Sequence, residues 1–149
     1  MMMRMILLGS LIALVGCSSG ETSRPGTVPV KAKVLFNKTT PPVGALVVFH
    51  STNAANEKSI GGKPFGKVAE DGTVMLTTYA QDDGVPEGDY GVTVDWRGPA
   101  KGGPKLSLGE EGGAGNVSKL KAKYGNPQQP ALKATVKKGD ANDFTFYVD

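Results

Sequence analysis

An all-β fold, a seven-stranded β-sandwich, is what this 149-residue sequence predicts, and three observations carry the expectation. Apolar side chains recur with period two through most of the chain, the spacing that puts them on one face of a strand. Turn residues separate about seven such runs, and sustained helical periodicity is absent from the pattern. The chain holds 21 glycines and 10 prolines, about one residue in five, against 39% apolar side chains. That balance suits a turn-rich globular chain that still fills a core, and the length supports one domain.

The opening segment stands apart from this pattern. Residues 1–15 carry a single charge, Arg4, and then an apolar run of eleven residues from Met5 to Val15. Crossing a bilayer as a helix takes about 18–20 residues, so the run reads as a secretory signal rather than a permanent span. Its end, Leu14-Val15-Gly16-Cys17, resembles the bacterial lipobox. The resemblance implies a cleaved signal peptide, 1–16, and a mature chain that begins at Cys17 and carries acyl chains there. Each buried methylene contributes about 0.8 kcal/mol, so several chains on one residue anchor firmly where a single chain binds reversibly. Ser18 stands where Gram-negative lipoproteins kept at the inner membrane carry aspartate, which implies an outer-membrane destination.

Residues 17–27 lack aliphatic and aromatic side chains and read as a flexible tether. The first strand follows, with Val28, Val30, Ala32, Val34 and Phe36 on one face and Lys31 and Lys33 on the other. A turn at 37–42 leads to a strand at 45–50 whose inward set is Ala45, Val47 and Phe49. Residues 51–62 are polar and read as a loop. Residues 65–69 lead into Asp71-Gly72, a hairpin signal, and the following strand turns Val74 and Leu76 inward. The strand from Asp89 to Trp96 has the clearest alternation, with Tyr90, Val92, Val94 and Trp96 together. Seven of the eighteen residues at 98–115 are glycine, an excursion with little core pattern. Alternation resumes with Leu132, Ala134 and Val136, then Phe144, Phe146 and Val148. No helix longer than a turn or two is expected.

Four runs look like a transthyretin-like, or prealbumin-like, module: Val30-Lys31-Ala32-Lys33-Val34-Leu35-Phe36, Pro42-Val43-Gly44-Ala45-Leu46-Val47-Val48-Phe49, Glu70-Asp71-Gly72-Thr73-Val74, and Pro86-Glu87-Gly88-Asp89-Tyr90. More narrowly they are similar to the carboxypeptidase regulatory-like domains of small Planctomycetes-type lipoproteins. The tail, Lys123-Tyr124-Gly125-Asn126-Pro127 and then Asp143-Phe144-Thr145-Phe146, resembles their closing pattern. The resemblance covers 28–149 and implies a Greek-key sandwich, exported and non-catalytic. A fold is not a function, and these are fold motifs.

Composition bounds the chemistry. Seventeen basic against fourteen acidic side chains is a mild excess, 16 against 14 once Arg4 is removed, and does not point to nucleic acid. One cysteine excludes an internal disulfide framework, and one histidine, His50, excludes His-rich metal clusters. Hydroxyisourate hydrolases resemble transthyretin but need more than one His and a C-terminal Tyr-Arg-Gly-Ser, whereas this chain ends Phe146-Tyr147-Val148-Asp149. No Gly-x-Ser-x-Gly elbow occurs, so an enzyme using His50 is not expected. Glu70, Asp71, Asp82 and Asp83 are calcium-type oxygen ligands, but turn chemistry explains an Asp before Gly, and the spaced Asp-x-Asp-x-Asp-Gly loop is absent. Lys31 or Lys33 with Asn142 or Asp143 has the residue types of an intramolecular isopeptide, yet both lysines occupy the polar phase of their strand. No cofactor and no metal is expected. The candidate ligand-binding residues are the aromatics Trp96, Tyr79 and Tyr124, read as exposed, with Lys119, Lys121 and Lys123 as a basic strand edge. The expected partners are a membrane, through Cys17, and an envelope protein or glycan.

Overall fold

The computed structural model describes residues 23–97 and 117–149. The signal peptide 1–16, Cys17 and the glycine-rich insertion lie outside the described residues.

Period-two alternation produces strands wherever one phase is apolar. They are β1 (Thr27–Val28), β2 (Lys31–Phe36), β3 (Leu46–Ser51), β4 (Phe65–Lys67), β5 (Thr73–Met75), β6 (Val85–Pro86), β7 (Gly88–Asp95), β8 (Leu132–Val136) and β9 (Asp143–Val148). One sheet has the order β5-β2-β9 and the other β4-β3-β7-β8, seven strands between them, while β1 and β6 pair in a short ribbon. Pairing is antiparallel except between β2 and β9, which run parallel with Lys31 opposite Asp143 and Phe36 opposite Val148.

The inward phases meet in a single core. Ala32, Val34, Val74, Phe146 and Val148 from the first sheet pack with Val47, Phe49, Val92, Val94 and Val136 from the second. This is the layered arrangement of an all-β sandwich, with two apolar faces removed from water against each other. Phe49 bridges the layers, its ring centroid 5.7 Å from that of Tyr90 and 6.3 Å from that of Phe146.

A seam closes one side. Beyond β4 the chain turns at Asp71, whose carboxylate accepts from the Thr73 backbone at 2.9 Å and from its hydroxyl at 2.6 Å. The returning chain then exchanges backbone hydrogen bonds between Phe65 and Thr77, joining the edge of one sheet to the edge of the other. Gly66 makes the approach possible, since a Cβ there would lie 2.2 Å from the Met75 carbonyl oxygen.

At the opening of β7 the Pro86-Glu87-Gly88-Asp89-Tyr90 segment forms a tyrosine corner. The Tyr90 ring is 1% exposed, and its hydroxyl donates to the Pro86 carbonyl at 2.8 Å, four residues upstream. A buried phenol needs such a partner, and the bond fixes the angle at which the chain enters the central strand.

Two boundaries differ from the expectation. Thr27, read as the end of the tether, already pairs with Pro86. The stretch read as a loop at 51–62 contains a helix, α1 (Ala54–Ile60). Its ends explain it: Asn53 Oδ1 accepts from the backbone N–H of Ala55 at 2.9 Å and of Asn56 at 3.3 Å, and Gly61 closes it at φ 71°. Ile60 is the buried residue of the helix, so periodicity has little to report.

Tyr90→Phe is expected to destabilise the domain by about 1–3 kcal/mol, since the buried Pro86 carbonyl loses its donor. Burial, aided by nearby Tyr79, pushes the Tyr90 hydroxyl up from 10.0 to about 12. Its contribution is therefore complete below pH 10 and is lost as pH rises from there through the folded value. Denaturant melts from pH 8 to 12 should show a steeper alkaline loss of stability in the native chain than in the variant.

Candidate functional site

The two ends of the sandwich differ in chemistry. Tyr90 lies near the start of β7 and Trp96 just past its end, about 20 Å apart at about 3.3 Å per residue. Of the sequence-predicted aromatics, Trp96 and Tyr124 come together at the second end, and Tyr79 stands at the first.

At the second end the Trp96 ring packs on Phe36, with centroids 5.5 Å apart, and its Nε1 donates to the Val43 carbonyl at 3.2 Å. The Trp96 backbone N–H donates to Ser118 Oγ at 3.1 Å, and its carbonyl accepts from Lys119 at 2.8 Å. The Lys119 ammonium sits 4.8 Å from the indole centroid, within cation–π range. Beyond it a 3-10 turn, Ala122–Gly125, carries Tyr124 into the core.

None of the three aromatics is an exposed platform: Tyr124 is 6% exposed and Trp96 and Tyr79 are half-buried against the core, while Lys119, Lys121 and Lys123 belong to irregular chain and this turn rather than to a strand edge. For Tyr124 the physical reason is Asp149. Its carboxylate accepts from the Tyr124 hydroxyl and from Lys121, and Lys123 Nζ lies 3.0 Å from Oδ1. The Lys121 hydrogen bond, then those from Tyr124 and Lys123, hold the Asp149 carboxyl well below the usual carboxylate range. Beside this knot lies a cleft of about 370 Å³ lined by Asn37, Lys38, Tyr124, Tyr147, Val148 and Asp149. Asn37 and Lys38 turn the chain through left-handed conformations, at φ 49° and 67°. Tyr147 is half exposed on the outward phase of β9.

At the first end the Arg24 guanidinium lies 5.6 Å from the Tyr79 ring centroid. The Tyr79 hydroxyl is buried without a hydrogen-bond partner among the described residues, and that desolvation raises it above its ordinary value. Asp83 caps the adjoining turn, accepting from the backbone of Thr78 at 2.7 Å and of Tyr79 at 3.1 Å. Asp71 and Asp83 thus serve turns at opposite ends and do not converge on one cation. Lys31 and Lys33 are exposed, and Asn142 closes the β8–β9 turn by accepting from Lys137 N and donating to the Lys137 carbonyl, both at 2.9 Å.

His50 lies on the outer face of the four-stranded sheet, in a second cleft of about 380 Å³ that includes Glu57, Lys63, Gln128 and Pro130. Its Nε2 is 2.9 Å from Thr93 Oγ1. Gly91 opens the face to the loop above: a Cβ there would meet Pro130 Cγ at 2.4 Å. Asn126 Oδ1 shapes that loop by accepting from Gln128 N at 3.0 Å and Gln129 N at 3.3 Å. Desolvation first and the Lys63 charge second lower the His50 pKa, with Glu57 opposing. His50 was legible as the sole imidazole, whereas its partner Thr93, forty-three positions on, was not.

Scans against protein-family models, curated proteins and solved structures return no match.

Two titrations check this geometry. The Asp149 contribution is complete above the ordinary value of 3.8 and fades as pH falls from there through the depressed folded value. Thermal melts between pH 6 and 2 should therefore show a shallower acid loss for Asp149→Asn than for the native chain. The single imidazole should titrate in NMR below its ordinary 6.5, and Lys63→Gln should move it upward.

Proposed function

We propose that this chain is an exported, lipid-anchored protein of the cell envelope whose one β-sandwich is a non-catalytic binding module. The observation that carries the reading is Leu14-Val15-Gly16-Cys17 at the end of an eleven-residue apolar run. Cys17 is the lipidated residue, and Ser18 favours the outer membrane. Among the described residues no helix is long and apolar enough to cross a membrane, and the lipid on Cys17 supplies the attachment in this reading.

The fold within this reading is a transthyretin-like Greek key of the carboxypeptidase regulatory-like kind. Its support is the parallel pairing of β2 with β9 across the chain, the three- and four-stranded sheets, and the corner built by Pro86-Glu87-Gly88-Asp89-Tyr90. The sandwich acts as a scaffold, since its interior is filled by side chains from both sheets. His50 engages Thr93 on an outer face, the arrangement of a positioned structural pair. The ligand class is carbohydrate, favoured by the half-exposed Tyr147 ring lining a cleft beside the Asn37 amide and the Asp149 carboxylate.

Mass spectrometry of the N-terminal peptide from native membranes tests the anchor. The expected product begins at Cys17 and carries a diacylglyceryl thioether, and Cys17→Ala should leave the chain without lipid. A native N-terminus with a free Cys17 thiol sinks the proposal.

A further inference from the structure

We infer that the Trp96 end of the sandwich binds an anionic polysaccharide, one bearing carboxylate or sulfate groups, presented away from the membrane that holds Cys17. The inference deepens the reading of the protein as an anchored carbohydrate-binding module and rests on it.

Charge points to the class of ligand. Lys38 lines the cleft, Lys121 and Lys123 pair with Asp149 at its margin, and Lys119 lies over the Trp96 ring at the same end. Against them stands one carboxylate in the knot, Asp149, already shared by Lys121, Lys123 and the Tyr124 hydroxyl. Among the described residues Lys38 and Lys119 have no acidic side chain within 4.0 Å. A neutral sugar leaves this excess unanswered, whereas a polymer with an acid on each residue answers it repeatedly.

Shape adds the sugar. Half-exposed Tyr147 lines a cleft about 370 Å³ in volume, with the Asn37 amide and the Asp149 carboxylate beside it as hydrogen-bonding groups. An aromatic face with polar groups at its margin matches a pyranose ring, which has apolar C–H faces and a polar rim.

Position separates a polysaccharide from a lipid headgroup. The chain leaves toward Cys17 through β1 and Arg24, at the Tyr79 end. The seven steps from residue 17 to residue 24 reach at most about 25 Å at about 3.6 Å each. The eight residues of β7 alone span about 23 Å at about 3.3 Å per step. Because the tether joins the sandwich at the Tyr79 end, the lysines stand at the end farther from the point of attachment, by about the length of β7.

The test uses the full mature chain in non-ionic detergent, titrated with dextran sulfate, polygalacturonate and uncharged dextran. Trp96 is the sole tryptophan, so its emission reports events at this end. Both polyanions are expected to shift that emission, and dextran to leave it unchanged. Lys38→Gln with Lys119→Gln should weaken polyanion binding about tenfold or more, as loss of charge-assisted hydrogen bonds does. Lys31→Gln with Lys138→Gln removes equal charge from the opposite end and should leave affinity within about twofold. Tyr147→Ala should weaken binding at unchanged net charge. Equal loss from both lysine pairs, equal binding of dextran, or no polyanion binding overturns the inference. So does preferential, Lys38-dependent binding to phosphatidylglycerol vesicles, which makes this a lipid site. Failure of the anchor reads out separately, in the mass of the Cys17 peptide.

Discussion

The contact on which the rest of the structure depends is the aromatic column Tyr90–Phe49–Phe146. Phe49 belongs to one sheet and Phe146 to the other, so the column is where two half-buried sheets become one dry interior. Neither sheet is stable alone with its apolar face in water, and a fully buried aromatic ring contributes about 1.5–3 kcal/mol from burial. Tyr90 adds direction to adhesion. Its hydroxyl ties the column to the Pro86 carbonyl, so the same residue fills the core and sets the path of the chain into β7. Because β7 sits between β3 and β8, the register of the larger sheet follows from that path.

Strands were legible because burial and periodicity coincide in them. Along β2 and the residue leading into it the apolar phase is the buried one, Val30, Ala32 and Val34, and along β3 and the residue before it the buried phase is Ala45, Val47 and Phe49, with Leu46 and Val48 apolar on the other face. Helix α1 escaped because a seven-residue helix with one buried side chain offers no period to detect. Its signal was in the caps, an Asn before three small or polar residues and a Gly-Gly after Ile60, and those residue types equally mark loops. Where two mechanisms share a composition, only the tertiary contact of Ile60 separates them.

The candidate site was legible in part for a related reason. Trp96 and the lysines at 119, 121 and 123 are visible as residue types. That Tyr124 is buried, while Tyr147 is half exposed near it, follows from contacts made at long range. Asp149 lies 25 residues from Tyr124, and Lys38 reaches the same cleft only because β2 and β9 run parallel in fixed register. A parallel pair brings together segments more than a hundred residues apart, and period-two alternation carries no information about which strands are neighbours.

A filled sandwich also constrains where chemistry can occur. Among the described residues, side chains from both sheets form one apolar core, and the clefts described above open at the ends and outer faces, where loops are positioned by the strands. Here the two ends differ in what fastens them. At the Tyr79 end β1 pairs with β6, Arg24 covers the Tyr79 ring and Asp83 closes a turn, so that end is engaged in holding the incoming chain. At the Trp96 end one carboxylate gathers two ammonium groups and a phenol, a knot that fixes the segment without neutralising it. The surplus positive charge there is a consequence of how the chain is fastened: one carboxylate, Asp149, holds the lysine-bearing segment in place through two ammonium groups and a phenol, and a single acid cannot balance the lysines gathered around it.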